Sequence, residues 1–281
     1  QDRLTVVAGF PGANADRDVA EYVLVGAPLD RSTTYQPGTR FGPRRMRAVA
    51  DSFEDYDHHT GSCFTDLAVH DHGDVRPGGD VEEYLTFLSG TVADVRDDGA
   101  TPLVLGGEHT VTVAAVRALE PDVVVCLDAH LDLRESFGSD PYSHATVSRH
   151  ALDVAEEVVI LGGRAGSEAE WERAEREDVT VVPPDAVEKW EPDVGDREVY
   201  LSVDIDAADP GYAPGTGTLE PFGLDPREMQ RVVRAVAPKA VGCDIVEVND
   251  RDDGQAAVLG SKLLREFVFA HADAVADSDD R

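Results

Sequence analysis

The chain has 281 residues, 42% of them hydrophobic, so it is long enough for one large α/β domain over residues 1–281 with its own core. Its 56 acidic residues outnumber 25 Lys and Arg and give a formal charge of −31, which argues against nucleic acid as a partner. Neither an apolar run of about 18 residues nor a charged start before an apolar stretch is present, so we expect no membrane span, no signal peptide and a cytoplasmic location.

Eight short runs rich in Val, Leu and Ile predict strands, at residues 22–26, 67–69, 102–105, 123–127, 158–161, 179–182, 199–203 and 240–246. They lack strict polar alternation, as expected for parallel strands covered by helices on both faces. Helices are predicted between and after them, at residues 81–96, 111–119, 146–153, 168–177, 226–236 and 255–276. The alternation indicates an α/β fold, but eight strands alone fit either a closed barrel or an open doubly wound sheet.

Side chains that bind metals stand directly after three of these runs. Alternate side chains of an extended segment point to the same side, so the groups within Asp128–Asp132 should converge, and so should Asp204 and Asp206. Active sites gather beyond the carboxyl ends of parallel strands. A single Asp or His in such a place is often a cap or turn former, but a whole set is harder to explain in that way. The candidate ligands are His109, Asp128, His130, Asp132, Asp204 and Asp206.

Four buried aspartates without cations would be prohibitively costly, so the set predicts a site for two divalent ions. Ligands rich in oxygen, with two imidazoles and no thiolate, favour manganese over zinc. A pair of ions about 3.5 to 4 Å apart lowers the pKa of water between them, which indicates a hydrolytic site and not a redox site.

Several motifs resemble the ureohydrolases, the arginase and agmatinase family, over residues 22–270. They are the Gly-Gly-Glu-His segment ending at His109, the Asp-Ala-His-Leu-Asp segment, residues 202–210 with 213–218, and the loops at 37–43 and 71–75. The resemblance implies a three-layer sandwich around a mostly parallel eight-stranded sheet, two Mn²⁺ per subunit, and a homo-oligomer, either a trimer or a hexamer. It also implies that one ion binds His109, Asp128, Asp132 and Asp204, and the other His130, Asp128, Asp204 and Asp206.

Two further residues take catalytic roles by the same resemblance. Glu247, in Asp-Ile-Val-Glu-Val-Asn, matches the glutamate that binds the substrate guanidinium, and a carboxylate fork suits that planar cation. His144, in Tyr-Ser-His-Ala-Thr, matches the histidine that transfers protons near the leaving amine, and an imidazole titrates in the right range. The alternative for Glu247 is a surface charge that follows a strand. Without the resemblance, a lone loop histidine such as His144 is more often a polar surface group.

The substrate expected from the resemblance is agmatine, a small cationic guanidino compound, cleaved to putrescine and urea. Arginases carry an Asn soon after the Asp-x-His-x-Asp segment and a Ser-Gly-Asn stretch, whereas this chain has Arg134 and the segment 138–144. The segment 218–223 departs from the family's Thr-Pro-Glu-x-Gly-Gly. Arg134 or Arg164 would pair with a substrate carboxylate in the alternative, a guanidinobutyrase or arginase activity. A member of the fold with purely structural metals is the alternative from another class.

The acidic excess predicts a dependence on salt. The charges interrupt regular apolar segments, and much of the acidic excess falls on predicted helix faces. Dense ions in solution would screen the repulsion between these like charges. An acidic surface would also suit a cationic substrate, which is the competing explanation. We expect transfer to low salt to unfold the protein, as measured by its melting temperature. Full activity and an unchanged melting temperature without salt would contradict this.

Overall fold

All the predicted strands join one parallel sheet in the computed structural model, which describes residues 9–279. Within that range the strands are β1 (Tyr22–Ala27), β2 (Tyr56–Asp57), β3 (Ser62–Cys63), β4 (Val69–Asp74), β5 (Thr101–Gly106), β6 (Val123–Leu127), β7 (Glu157–Leu161), β8 (Val179–Val182), β9 (Val199–Asp204) and β10 (Ala240–Val246). The sheet order is β4-β1-β5-β10-β9-β6-β7-β8, and β2 and β3 form a separate antiparallel pair. The sheet is open, so the barrel alternative is wrong.

Helices cover both faces of the sheet. The helices of the described range are α1 (Gly42–Ala50), α2 (Val81–Asp97), α3 (Thr112–Leu119), α4 (Val147–Ala151), α5 (Glu168–Ala174), α6 (Pro184–Val187), α7 (Pro226–Val236) and α8 (Gln255–Asp279). Side chains of α1, α7 and α8 pack into one hydrophobic core, and those of α2, α3 and α4 pack into a second. The predicted three-layer α/β sandwich is confirmed.

The strands contribute to both cores by alternation. In β1, Leu24 belongs to the core under α1, α7 and α8, while its neighbour Val25 belongs to the opposite core. Leu103 and Val104 of β5 divide in the same way. Because both faces are buried, neither set of side chains has to be polar. This is the physical reason why uninterrupted apolar runs predicted the strands.

Two elements differ from the sequence prediction. The run predicted at 67–69 becomes β4 over Val69–Asp74, most of which is polar. In the described part of the chain it is an edge strand that pairs with β1 alone. Its side chains are therefore largely half-buried, and the apolar run marks only its start. No helix was predicted after the loop at 37–43, but α1 begins at its end. This helix is short and amphipathic, and its Gly-Pro start and three arginines do not form an obvious helical pattern in the sequence.

The ends of the predicted domain, residues 1–8 and 280–281, lie outside the described residues. Among the helices that are described, none combines the length and the apolar character required to cross a lipid bilayer.

Candidate metal centre and active site

The strand order brings the candidate residues to one place. Strands β5, β10, β9 and β6 are consecutive neighbours in the sheet, although they are far apart in the chain. His109, Glu247, Asp204 and Asp128 stand at or just beyond their carboxyl ends. The carboxyl edge of a parallel sheet is where such folds place their ligands. Four central strands thus each deliver one polar residue to a common site.

The loops at this edge have unusual backbones. Gly107 lies so close to another loop that a Cβ would stand 2.0 Å from the carbonyl oxygen of Leu29, so this position requires glycine. Asp132 and Glu247 have positive φ values of 52° and 60°. The left-handed region is costly for residues with a Cβ, and such strain is found mainly where the surrounding structure enforces it, often at functional sites. Here the Glu247 N–H donates to the Gly107 carbonyl at 2.8 Å.

His109 presents Nδ1 to three carboxylates. The atom lies 3.0 Å from Asp132 Oδ2, 3.1 Å from Asp128 Oδ2 and 3.5 Å from Asp204 Oδ2. On the other side of the ring, Nε2 lies 3.1 Å from Ser202 Oγ. The Ser202 hydroxyl donates to the buried Asp244 carboxylate at 2.7 Å. A hydrogen-bonded partner on the nitrogen that does not face the metal orients the ring of a ligating histidine.

His130 faces the remaining aspartate in the same manner. Its Nδ1 lies 2.9 Å from Asp206 Oδ2 and 3.8 Å from Asp128 Oδ1, and its Nε2 lies 3.8 Å from Glu220 Oε1. The two oxygens of Asp128 therefore face two different imidazoles. The predicted residues are thus all brought together.

The side chains present fit a pair of divalent cations. Ligand atoms of His109, Asp128 and Asp204 lie within 4.8 Å of one another, and so do those of Asp128, His130 and Asp206. Asp128 Oδ2 is buried and accepts no hydrogen bond of good geometry among the described residues, although His109 Nδ1 lies 3.1 Å away. A buried carboxylate oxygen in this position is costly unless a cation compensates it.

The pKa values of the cluster reflect crowding of like charges away from water. Burial, followed by the charges of Asp132 and Asp206, raises the pKa of Asp128 to about 7. Burial would lower the pKa of His130, but the charge and the hydrogen bond of Asp206 raise it to about 10. For Asp206, burial alone would raise the pKa, but the contact with His130 lowers it to about 2. Cations bound at the cluster would offset the repulsion that raises the pKa of Asp128.

We expect the melting temperature of the chelator-treated protein to fall as pH rises from about 5 to about 9. Asp128 and Glu247 have pKa values of about 7 and about 8 in the folded state, above their ordinary 3.8 and 4.5, so folding retains protons that the unfolded chain releases. The free energy of unfolding therefore decreases as pH passes through these values. The pKa of His130 is about 10 in the folded state against an ordinary 6.5, so this residue extends the decrease in the free energy of unfolding to higher pH.

The measurement is calorimetry over this pH range at constant high salt. Excess Mn²⁺ serves as the control, because ligand binding displaces the protons and should flatten the fall. A melting temperature that rises with pH in the chelated sample would contradict the prediction.

A cavity of about 490 Å³ opens over the cluster. His144 and Glu247, the two predicted catalytic residues, both line it together with the metal-ligand candidates. Glu247 is 5% exposed, and its Oε1 accepts a hydrogen bond from the His109 N–H at 2.8 Å. Burial, and then the charge of Glu108, raises its pKa to about 8, against the hydrogen bond from His109. A cation bound beside this carboxylate would favour its ionised form.

Sequence reasoning missed some of the cavity wall. Thr34, Phe137 and Glu170 line it, and none of them was predicted to be a site residue. Glu170 belongs to a segment, with Ser167 and Trp171, that resembles archaeal-type agmatinases, but the resemblance assigned it no role. It closes a capping box with Ser167, and the Ser-x-x-Glu pattern was the signal that could have found this contact.

Comparisons with known proteins agree with this geometry. The sequence model of the Arginase family matches residues 20–270. The chain belongs to the Arginase family. It is 36% identical to an agmatinase of Bacillus anthracis, over 89% of this chain and 91% of that protein. A guanidinobutyrase of Pseudomonas aeruginosa is 35% identical, over 90% and 87%. The crystal structure of an agmatine ureohydrolase of Thermoplasma volcanium superposes with a TM-score of 0.89 at 34% identity, covering 96% of each chain.

The resemblance to the ureohydrolases is therefore confirmed, and the protein is a ureohydrolase enzyme. These relatives are named for different guanidino compounds. Beyond the cluster, the wall of the cavity includes Arg134 and Arg164.

Arg164 in that part of the cavity is already engaged. Its guanidinium donates to six main-chain carbonyls and ties two loops together. The acceptors belong to Gly162, Asp206, Ala207, Ala208, Glu220 and Pro221. The prediction that Arg164 binds a substrate carboxylate is not supported by these contacts, because a saturated guanidinium has no donor to offer.

Arg134 is the more available cation of the two. It is bound to Glu170 Oε2 at 3.1 Å, and its guanidinium carbon lies 5.2 Å from the centre of the Phe137 ring. Glu170 is itself buried, and its carboxylate also accepts from Ser167 and from the Leu133 N–H. The pair places a partly neutralised positive charge on the cavity wall.

Proposed function

We propose that this enzyme hydrolyses the guanidinium group of agmatine and releases urea and putrescine. The observation that carries the proposal is the position of Glu247, a buried carboxylate that lines the same cavity as the His and Asp cluster. A guanidinium is a planar cation whose N–H groups match a carboxylate, and it would neutralise an otherwise costly buried charge. The similarity to agmatinases supports the same substrate class.

The cluster would hold two Mn²⁺ per subunit, one with His109, Asp128, Asp132 and Asp204 and the other with His130, Asp128, Asp204 and Asp206. Asp128 would serve both, because its two oxygens face the two histidines. Oxygen-rich sites of this type suit manganese. When bound, divalent cations would lower the pKa of water at the cluster and so supply hydroxide near neutral pH.

The side chains around the cavity would then complete the reaction. Glu247 orients the guanidinium so that its central carbon faces the cluster. Water adds to this carbon, and His144 accepts the proton that the water releases. His144 then passes this proton to the alkyl-bearing nitrogen, the bond from the carbon to that nitrogen breaks, and the nitrogen leaves as an amine. The remaining carbon, its two NH₂ groups and the oxygen from water become urea once the hydroxyl proton is lost to solvent. The amine is putrescine when the substrate is agmatine.

Agmatine carries a second positive charge at its far end. Arg164 is saturated, Arg134 is partly neutralised by Glu170, and Glu220 adds a negative charge to the wall. This balance favours a dication over a guanidino acid. Guanidinobutyrate is the second candidate, because the Arg134 side chain is 36% exposed in the cavity and could accept a carboxylate.

The experiment is a panel of agmatine, arginine, guanidinobutyrate and guanidinopropionate, assayed for urea with added Mn²⁺ at high salt. The agmatine proposal predicts the highest kcat/KM for agmatine. Arg134→Met is the informative variant, since it should slow only a substrate with a carboxylate. If no compound releases urea, the proposal fails and the alternative of purely structural metals is favoured.

We also propose that the enzyme is a homo-oligomer, a trimer or a hexamer, on the strength of the family resemblance alone. Light scattering coupled to size-exclusion chromatography at high salt measures this directly, and a monomeric mass would contradict it.

A further inference from the structure

A carboxylate, a hydroxyl and an imidazole form a chain of hydrogen bonds beside the cavity. Ser32 Oγ donates to Glu108 Oε1 at 2.9 Å and lies 3.0 Å from His144 Nδ1. The backbone N–H of His144 donates to the same hydroxyl oxygen at 2.9 Å. One serine thus holds His144 by both its main chain and its ring, although residues 32 and 144 are far apart in the sequence.

The direction of the Ser32 proton follows from the surroundings of Glu108. This side chain is fully buried, and every group that contacts its carboxylate is a donor. The Ser32 N–H donates at 2.7 Å and the Thr110 hydroxyl at 2.7 Å, and the Arg31 N–H donates as well. Donors thus surround both carboxylate oxygens, and the Ser32 hydroxyl is one of them, since it donates to Oε1.

The tautomer of His144 is then determined. The single proton of Ser32 is committed to Glu108, so the serine oxygen accepts from the ring and Nδ1 carries the hydrogen. The neutral ring consequently has its lone pair on Nε2. No described residue hydrogen-bonds Nε2, and the ring lines the cavity. The Phe137 ring, whose centroid is 5.9 Å from that of His144, packs beside it.

We propose that Ser32 is a positioning residue that holds His144 in its Nδ1–H tautomer, with Glu108 orienting the hydroxyl. Nε2 is thereby kept as the nitrogen that exchanges a proton with the substrate. The inference rests on the proposed function, because it requires His144 to transfer a proton during hydrolysis. It goes beyond that function by assigning the 31–32 loop and Glu108 to the geometry of the proton transfer.

A double-mutant cycle tests the inference, with kcat and KM measured at saturating Mn²⁺ on agmatine, or on guanidinobutyrate if the panel selects it. His144→Ala should retain its metals and lower kcat by about 10² to 10⁴. Ser32→Ala should lower kcat about 10- to 100-fold, with KM changed less than about threefold and manganese content unchanged. In the His144→Ala background, Ser32→Ala should have an effect of no more than about twofold, because the group that it positions is gone.

Two further variants separate positioning from general disturbance of the loop. Ser32→Thr keeps the hydroxyl and should restore kcat to within about threefold of the wild type. Thr33→Val removes the neighbouring hydroxyl, which is buried and has no hydrogen-bond partner among residues 9–279, and should leave kcat within about twofold. An equal loss in Thr33→Val would overturn the inference.

The outcomes distinguish the two proposals. If the wild type releases urea but the Ser32→Ala and His144→Ala effects add, or if Ser32→Ala loses its metals together with its activity, the inference fails and the proposed function stands. If the wild type releases urea from no guanidino compound, the proposed function fails and the inference falls with it.

Discussion

Asp128→Asn is expected to lower kcat/KM by at least about a thousandfold, equivalent to about 4 kcal/mol of transition-state stabilisation, and to abolish tight binding of the metal pair. Asp128 is the one residue whose two oxygens face both imidazoles, and it is 1% exposed. An amide of the same shape presents one oxygen in place of two and carries no charge. Both halves of the cluster should lose a ligand from this single change.

The measurements are urea release and manganese content by elemental analysis, on protein whose melting temperature at high salt shows that it is folded. Asp140→Asn is the matched control. Asp140 is an exposed aspartate that caps a turn near the site and does not line the cavity, so activity should stay within about twofold. An Asp128→Asn variant with normal activity and two bound metals would show that this residue is not shared.

Glu247→Gln is expected to lower kcat/KM about a thousandfold while both metals remain bound. Removing one member of a buried, hydrogen-bonded charge pair costs roughly 2 to 5 kcal/mol, and each tenfold corresponds to about 1.4 kcal/mol. Glutamine keeps an oxygen for the His109 N–H, so the local fold should survive. It loses the charge that would compensate the guanidinium.

Glu247→Asp serves as the comparison. It keeps the charge but withdraws it by one methylene, so its activity should lie between those of the wild type and Glu247→Gln. A Glu247→Gln variant with unchanged kcat/KM would remove the residue from substrate binding. If that variant also lost its metals, the role of Glu247 would be in building the cluster and not in holding the substrate.

Most of the sheet was predictable because its strands are buried on both faces, which leaves apolar runs that are visible without any partner. The polar edge strand β4 was not, since only Val69 at its start is fully buried. Most of the ligand candidates were predictable because they stand two residues apart within one segment, as Asp204 and Asp206 do. Alternate side chains of an extended segment point to the same side, so these side chains meet.

The order of the strands was beyond local reasoning. Nothing near His109 or Glu247 in the sequence indicates that β5 and β10 are neighbours, because that pairing depends on crossovers of more than a hundred residues. The roles of the arginines were hidden for a similar reason. Arg164 and Arg134 have the same chemistry, and only their surroundings, main-chain carbonyls in one case and Glu170 in the other, distinguish them.

The contacts of Arg164 bear on how the substrate preference of this enzyme could change. Its partners are carbonyl oxygens of the peptide chain, which every amino acid possesses. Side chains of this loop can therefore be exchanged while the contacts of Arg164 are kept. Leu219 and Phe222, which depart from the family pattern, do not line the cavity, whereas Glu220 does. The carboxylate that a substrate would meet is thus displayed on a loop that Arg164 holds by its main chain.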